Sequence, residues 1–442
     1  MAVSTFAGLQ TTLRGLLAQQ RALDVTSHNV ANAGTAGYSR QEAVLGASPA
    51  LRIPAGAVQS GAGAQLGTGV DVLAYRRHRD QFLDLQFRGQ AMRLGGLAAQ
   101  VRGLETVEVA FAEPGENGIA NQLQEFWSGW ENLADAPENP AARQALVENA
   151  RGLTTTIAAL DSQLATAAAE AAAEYAAITG AGGEVGQVAG EIAKLSEAIR
   201  SSLTSGAAPN DLYDRRDLLI DQLSSLAQVT VTDLGDGTVD LGFGDAALPL
   251  LEGTTVNWPQ ALTEPQGKLG TLLAISSPTG IVASYRAELD AFAQGLADSV
   301  NALHSSGGGP AFFAYTPGAA ASTLAVAVTA AEVQTSAAAP VGGNDIAMAI
   351  GALRGGAAEQ AYSSLVSRVG TDMSEARRGG ENAESLVLAV RERRESVSGV
   401  SLDEEMTNQV RFQRGYQASA RAMTTLDESL DVLINRTGRV GL

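Results

Sequence analysis

Stripes of mainly apolar positions mark the two ends of the chain, the first stepping by alternating threes and fours and the second similar but with longer steps. Near the start, Phe6, Leu9, Leu13, Leu16, Gln20, Leu23, Ser27 and Val30 form such a stripe. Near the end, Met406, Val410, Tyr416, Met423, Leu426, Leu430, Leu433 and Ile434 form another. This spacing places side chains on one helical face, and a heptad seam leaves water only against a partner seam. Each end therefore covers its own domain's core, pairs with the other end, or pairs with neighbouring chains. Gln20 and Ser27 at seam positions disfavour an isolated two-stranded zipper and favour packing among several helices.

Between the ends the helical period recurs. The first helix stops at Asn32-Ala33-Gly34, and the Gly- and Ser-rich stretch 40–75 alternates weakly, predicting short strands and loops. A helix follows from about 79 to 111, ended by Glu113-Pro114-Gly115. Another carries Leu123, Phe126, Trp127, Trp130 and Leu133 and stops near Asn139-Pro140. An Ala-rich helix reaches about 179, the next ends near 202, and Pro209-Asn210-Asp211 caps one over 212–226. At 228 the period changes to two. Val229 and Val231, then Val239, Leu241 and Phe243, flank Gly235-Asp236-Gly237, a hairpin signal, and strand-like sequence continues to about Gly270. Helix resumes over 284–303. A single strand is predicted at 324–328, then helical pieces from Asn344 with a break at Gly379-Gly380, and a last helix capped by Ser401 with Glu404.

The pattern predicts a mainly α fold with a small β part and nested domains. Residues 1–40 with 398–442 make a terminal coiled coil. Residues 41–227 with 280–397 make a long antiparallel helical bundle with short strands, and 228–279 make a small β domain.

Composition narrows the function classes. A chain of 442 residues with 45% hydrophobic and 18% charged positions folds into two or three domains. A net charge of −18 argues against nucleic acid and anionic membrane surfaces as partners. No apolar run approaches the ~20 residues of a membrane span, so no membrane insertion is expected. The opening MAVSTFAGLQTTLRGLL lacks a continuous apolar core, so no conventional signal peptide is expected. The absence of cysteine excludes disulfides and thiolate metal sites.

Chemistry-bearing patterns are sparse. His28, His78 and His304 are too far apart in sequence to suggest a zinc pair. Gly61-Ala62-Gly63 with Gly67 and Gly69 does not match a phosphate loop. Asp233, Asp236 and Asp240 lack calcium-loop spacing and suit a hairpin turn. Trp127 and Trp130, three apart, suit a core. Glu113 and Glu116 could make a hydrolase pair, as carboxylates in any acidic chain could. No catalytic, cofactor or metal site is predicted, and a secreted peptidoglycan hydrolase stands as the reading from another class.

Residues 22–41, ALDVTSHNVANAGTAGYSRQ, resemble the N-terminal signature of bacterial flagellar rod, hook and hook-associated proteins, with Asn29, Asn32, Gly37, Tyr38 and Ser39 at motif positions. His28 and Ala36 stand where that family more often has Asn or Pro. Residues 398–406 and 412–421, the internal segment 209–217 and the FWSGW at 126–130 are similar to the members that join hook to filament. The hook and distal rod proteins of the family are the alternative. The resemblance implies a non-enzymatic structural subunit outside the cell, exported unfolded through the flagellar type III apparatus and self-assembled into a ring. It implies the hook protein, hook-associated protein 3 and a cytosolic export chaperone as partners. Leu9, Leu13, Leu16, Leu23, Val30, Met406, Tyr416, Met423, Leu426, Leu430 and Leu433 would form the assembly coiled coil. Met406, Tyr416, Met423 and Leu430 would contact the chaperone. Many relatives carry an extra outer β domain after the segment matching Phe312-Phe313; the short stretch 314–343 implies that this chain lacks it.

Overall fold

The computed structural model describes residues 6–53, 64–115, 118–337 and 342–436, with the side chains of Ile53, Ala64, Leu433 and Arg436 outside the description. The chain leaves helix α1 (Ala7–Asn32) for strands β1 (Gln41–Ala47), β2 (Leu51–Ile53), β3 (Ala64–Leu66) and β4 (Val70–Arg77). Strand β1 pairs antiparallel with β4, and β2 with β3, which makes one long hairpin. Helices α2 (Gln81–Phe111), α3 (Ile119–Asp135), α4 (Pro140–Thr179), α5 (Glu184–Thr204) and α6 (Asn210–Ser224) follow. Side-chain caps start two of them. Asp80 accepts from the Phe82 amide at 2.8 Å, and Asn139 from the Ala141 amide at 2.9 Å.

Strands β5 (Val229–Asp233), β6 (Val239–Phe243), β7 (Leu251–Glu252) and β8 (Thr255–Val256) form an antiparallel sheet in sequential order. Its turn aspartates are used locally. Asp233 accepts from the Gly235 amide, Asp236 from the Thr238 amide, and Asp240 from the Gly253 amide. Helices α7 (Gly267–Ser276) and α8 (Ile281–His304) come next. Strand β9 (Phe313–Ala314), the short α9 (Ala320–Thr323), strand β10 (Ala325–Val326), paired to β9, and α10 (Asp345–Gly351) lead into α11 (Ala357–Ser398) and α12 (Leu402–Asp431). Among the described residues, the stretch from β9 to α10 holds no further domain.

Helix α4 runs through the bundle against α2, α3, α7 and α8. Its core is aromatic at one end, where Phe126, Trp127, Trp130, Phe312 and Phe313 are buried against one another. His304 lies among them, fully buried. Its Nδ1 donates to the Pro310 carbonyl at 2.8 Å and its Nε2 accepts from the Gln334 amide at 2.8 Å. Burial lowers its pKa, which suits the neutral ring those two bonds require.

The structure departs from the sequence expectations at several places. Residues 267–276 are helical and pack against α2 and α4, so the expected β part gives its last segment to the bundle. The run Leu269, Leu272, Ile275 is too short to separate strand from buried helix by period alone. Helix α11 runs unbroken through Gly379-Gly380. A Cβ on Gly379 would lie 3.2 Å from Leu97, so the small residue serves the close passage of α2. The strand expected at 324–328 is only two residues long. The β1/β4 ribbon lies along α1 as well as touching α6.

Candidate functional site

Helices α1 and α12 pair antiparallel in a uniform register. Gly8 faces Leu426, Gly15 faces Ser419, Gly415 faces Gln19, and Asn29 meets Glu405. A Cβ on Gly15 would stand 3.2 Å from the Ser419 hydroxyl, and one on Gly415 2.8 Å from the Gln19 side chain. Small residues at these positions let the backbones approach. The buried line of α1 is accordingly Ala18, Ala22, Thr26 and Asn29.

The expected leucine seam is one step round the helix from that line. Leu9, Leu16 and Leu23 are half-buried flanks, while Leu13 is 45% and Val30 38% exposed. On α12, Tyr416, Met423, Leu426 and Leu430 are half-buried and Met406 is 62% exposed. The side chain of Leu433 lies outside the described residues, as does Glu116 of the carboxylate pair considered above. Glu113 accepts from the Ala120 amide at 2.9 Å, at the start of α3, and from the Tyr362 hydroxyl at 3.1 Å.

The motif residues gather where the chain enters and leaves the bundle. Asn29, 1% exposed, donates to the Gln41 carbonyl at 2.9 Å and to Glu405 Oε2 at 3.0 Å. Its Oδ1 accepts from the Gln41 amide at 2.9 Å and the Tyr38 hydroxyl at 2.8 Å. Burial, with Asp211, Asp214 and Glu405 nearby, raises the Tyr38 pKa and keeps that hydroxyl a donor. Asn32 ties its side-chain amide to the His28 carbonyl at 3.0 Å and accepts from Thr35 at 3.2 Å. Gly37 has φ +78°, and a Cβ there would also meet Leu218 at 3.2 Å, so both conformation and space call for glycine. Ser39, buried, donates its amide to Asp214 Oδ2 at 2.9 Å.

Helix α6 is the rail to which these segments attach. Its acids Asp211, Asp214, Asp217 and Asp221 repeat at helical spacing, and together they hold the 28–41 segment, β4, α2 and α11. Asp211 meets Gln41 at 2.7 Å and His28 at 3.2 Å. Asp214 meets Arg77 at 2.8 Å, and Asp217 meets Arg77 at 3.1 Å and Arg79 at 3.2 Å. Asp221 meets Arg88 of α2 at 2.8 Å and Arg394 of α11 at 2.5 Å. Burial raises the Asp214 pKa against the opposing pull of the Ser39 amide and Arg77. Burial works against the charge on Arg79 too, but Asp217, Asp84 and Asp221 outweigh it and the pKa is raised. Arg40 closes the joint. Its Nε reaches Glu405 Oε1 at 2.8 Å, its Nη1 Glu404 at 2.9 Å, and its amide the Ser398 carbonyl at 2.8 Å.

This ionic rail was missed in the sequence. Its signal was there: four acids at spacings of three, three and four on a single helix, and Arg76, Arg77 and Arg79 clustered before another. Among the described residues no cluster of ligating side chains could hold a metal ion, and no helix is long and apolar enough to cross a membrane.

Three family models match separate segments. "Flagella basal body rod protein" matches residues 9–38, "Flagellar hook-associated protein FlgK helical domain" 104–265, and "Flagellar basal body rod FlgEFG protein C-terminal" 394–436. The three meet at the joint, where Asn29 bonds Glu405, His28 bonds Asp211, and Asp221 pairs with Arg394. The chain is similar to a flagellar hook-associated protein 1 from Bacillus subtilis, 28% identical over 98% of this chain and 99% of that protein. It is 30% identical to one from Salmonella typhimurium over 55% of this chain and 42% of the relative, so this match spans less than half of that relative's length. A solved flagellar hook junction protein, FlgK from Burkholderia pseudomallei, aligns over 52% of this chain and 47% of that one, with 23% identity and a TM-score of 0.46.

Proposed function

We infer, since the chain belongs to the flagellar hook-associated protein 1 family, that it is a structural subunit of the bacterial flagellum, placed outside the cell between hook and filament. The observation that carries this is the joint, where the three segments similar to flagellar proteins interlock through buried charges and hydrogen bonds. A subunit built this way passes force between its terminal helices and its bundle. It associates with other flagellar components.

In finer detail, the half-covered leucines flanking the α1/α12 seam are the surfaces that neighbouring copies complete in a ring. The hook protein lies on one side and hook-associated protein 3 on the other. Before export, a cytosolic chaperone covers the stripe Met406, Tyr416, Met423 and Leu430, an adaptable apolar surface suited to temporary burial. No catalytic step is assigned, and Glu113 serves at the start of α3.

Replacing Leu426 and Leu430 with Asp puts two charges into the seam, where burial without partners is costly. Cells with this chain in place of the native one should release filament protein into the medium rather than assemble it, while the purified variant keeps the thermal unfolding of its bundle. Normal swimming overturns the reading. The chaperone assignment has its own check by calorimetry: a peptide covering 402–438 should bind about as well as the full chain, and a chain ending at residue 397 should not bind.

A further inference from the structure

We propose that Glu405 is a positioning residue that makes the order of the N-terminal motif depend on the docking of the C-terminal helix. This deepens the structural reading above and rests on it for its biological consequence. Glu405 is 1% exposed, although both its neighbours on α12, Glu404 and Met406, are exposed. Its two carboxylate oxygens are divided between two parts of the motif. Oε2 accepts from Asn29 at the end of α1, and Oε1 accepts from Arg40 beyond the following loop. The same Asn29 holds Tyr38 and the Gln41 amide, and Arg40 bonds the Ser398 carbonyl ahead of α12. One carboxylate thus completes both ends of the 29–41 turn and fixes the direction in which the helix pair leaves the bundle.

With α12 undocked, Asn29 loses an acceptor and Arg40 its buried counter-charge, so the turn loses the carboxylate that bridges its ends and keeps only Asn29's own bonds to Tyr38 and Gln41. The two ends are linked in the thermodynamic sense. A partner that holds α12 away from the joint also leaves the 33–41 loop open, whereas docking α12 sets loop and helix direction together. Met406 faces outward beside Glu405, so a partner can occupy the exposed face of α12 without displacing the carboxylate.

The chain has no cysteine, so paired spin labels can be introduced cleanly at exposed Gln409 on α12 and Arg215 on α6. In the full-length protein the label distance should be single and narrow. Glu405→Gln, which keeps the shape and removes the charge, should broaden it. It should also raise amide exchange at residues 39–41 by about tenfold or more, as local opening does. Glu405→Asp should fall between, and Met406→Ser should match the parent. The near-ultraviolet signal of Trp127 and Trp130 should be the same in all. A Glu405→Gln distance as narrow as the parent's overturns the proposal, as does a broad distance in the parent itself. Loss of the tryptophan signal in Glu405→Gln also overturns it, because Glu405 would then serve folding in general. Each outcome is read on the isolated chain, so it stands apart from the swimming assay that tests the flagellar role.

Discussion

Helix α3 buries eight of its 17 residues, including Phe126, Trp127 and Trp130, whereas α12 buries a single residue of its 30, the carboxylate Glu405. Both helices are amphipathic, yet only one is finished within the chain. The bundle closes an apolar core upon itself and carries its own stability. The terminal pair closes a thin line of small side chains, anchors it by ionic contacts at one end, and leaves its larger apolar groups half-covered. Amphipathic period alone does not tell a core helix from an assembly helix; side-chain size along the contact line does.

The sharpest way to break this comparison is paired truncation. Trp130→Ala should destabilise the isolated protein by about 3–5 kcal/mol in denaturant melts, as emptying a packed aromatic site does. Leu426→Ala should cost less than about 1 kcal/mol there, because a half-exposed side chain forfeits little burial. Similar losses for the two would erase the distinction.

Acid sharpens it next. His304 has a folded pKa below its unfolded value, so its contribution is full above pH ~6.5 and is lost as pH falls below that, by at most about 1.4 kcal/mol per pH unit. Asp214 behaves oppositely. Its raised folded pKa means that protonation, beginning above the usual carboxylate range, favours the fold as pH falls. Chemical melts at pH 7 and pH 5 should therefore show the parent losing more stability on acidification, or gaining less, than His304→Asn. An equal change in the variant removes His304 as a cause of the pH response.

Limited proteolysis gives the finest resolution. Buried α1 positions lie between Ala18 and Asn29, near the joint, so early cuts should fall in 6–17 and after about residue 419, and later ones toward the joint. Uniform resistance of both ends in dilute protein would contradict an unfinished pair. Gly8→Ala should have the smallest effect, a few tenths of a kcal/mol in either direction. The new methyl meets Leu426 side-chain atoms at 3.3 Å, which can shift, while alanine favours the helix.

Sequence alone determined the helical character, the β hairpin around Gly235-Asp236-Gly237, the aromatic core at Trp127 and Trp130, and the flagellar signature at both ends. Those features are local: periods, caps, turn residues and contiguous motifs reveal themselves within a few residues. Tertiary structure decided the rest. The α1/α12 seam runs through Gly8, Gly15, Ala22 and Asn29, because small side chains give the closest approach, while hydrophobic period points to the adjacent leucines. Residues 267–276 became helix because the bundle offers them an apolar slot against α2 and α4. The joint could not be found by scanning either, since Asn29 meets Glu405 across 376 positions and Arg77 meets Asp214 across 137. A buried carboxylate reads as surface charge until the fold supplies its arginine.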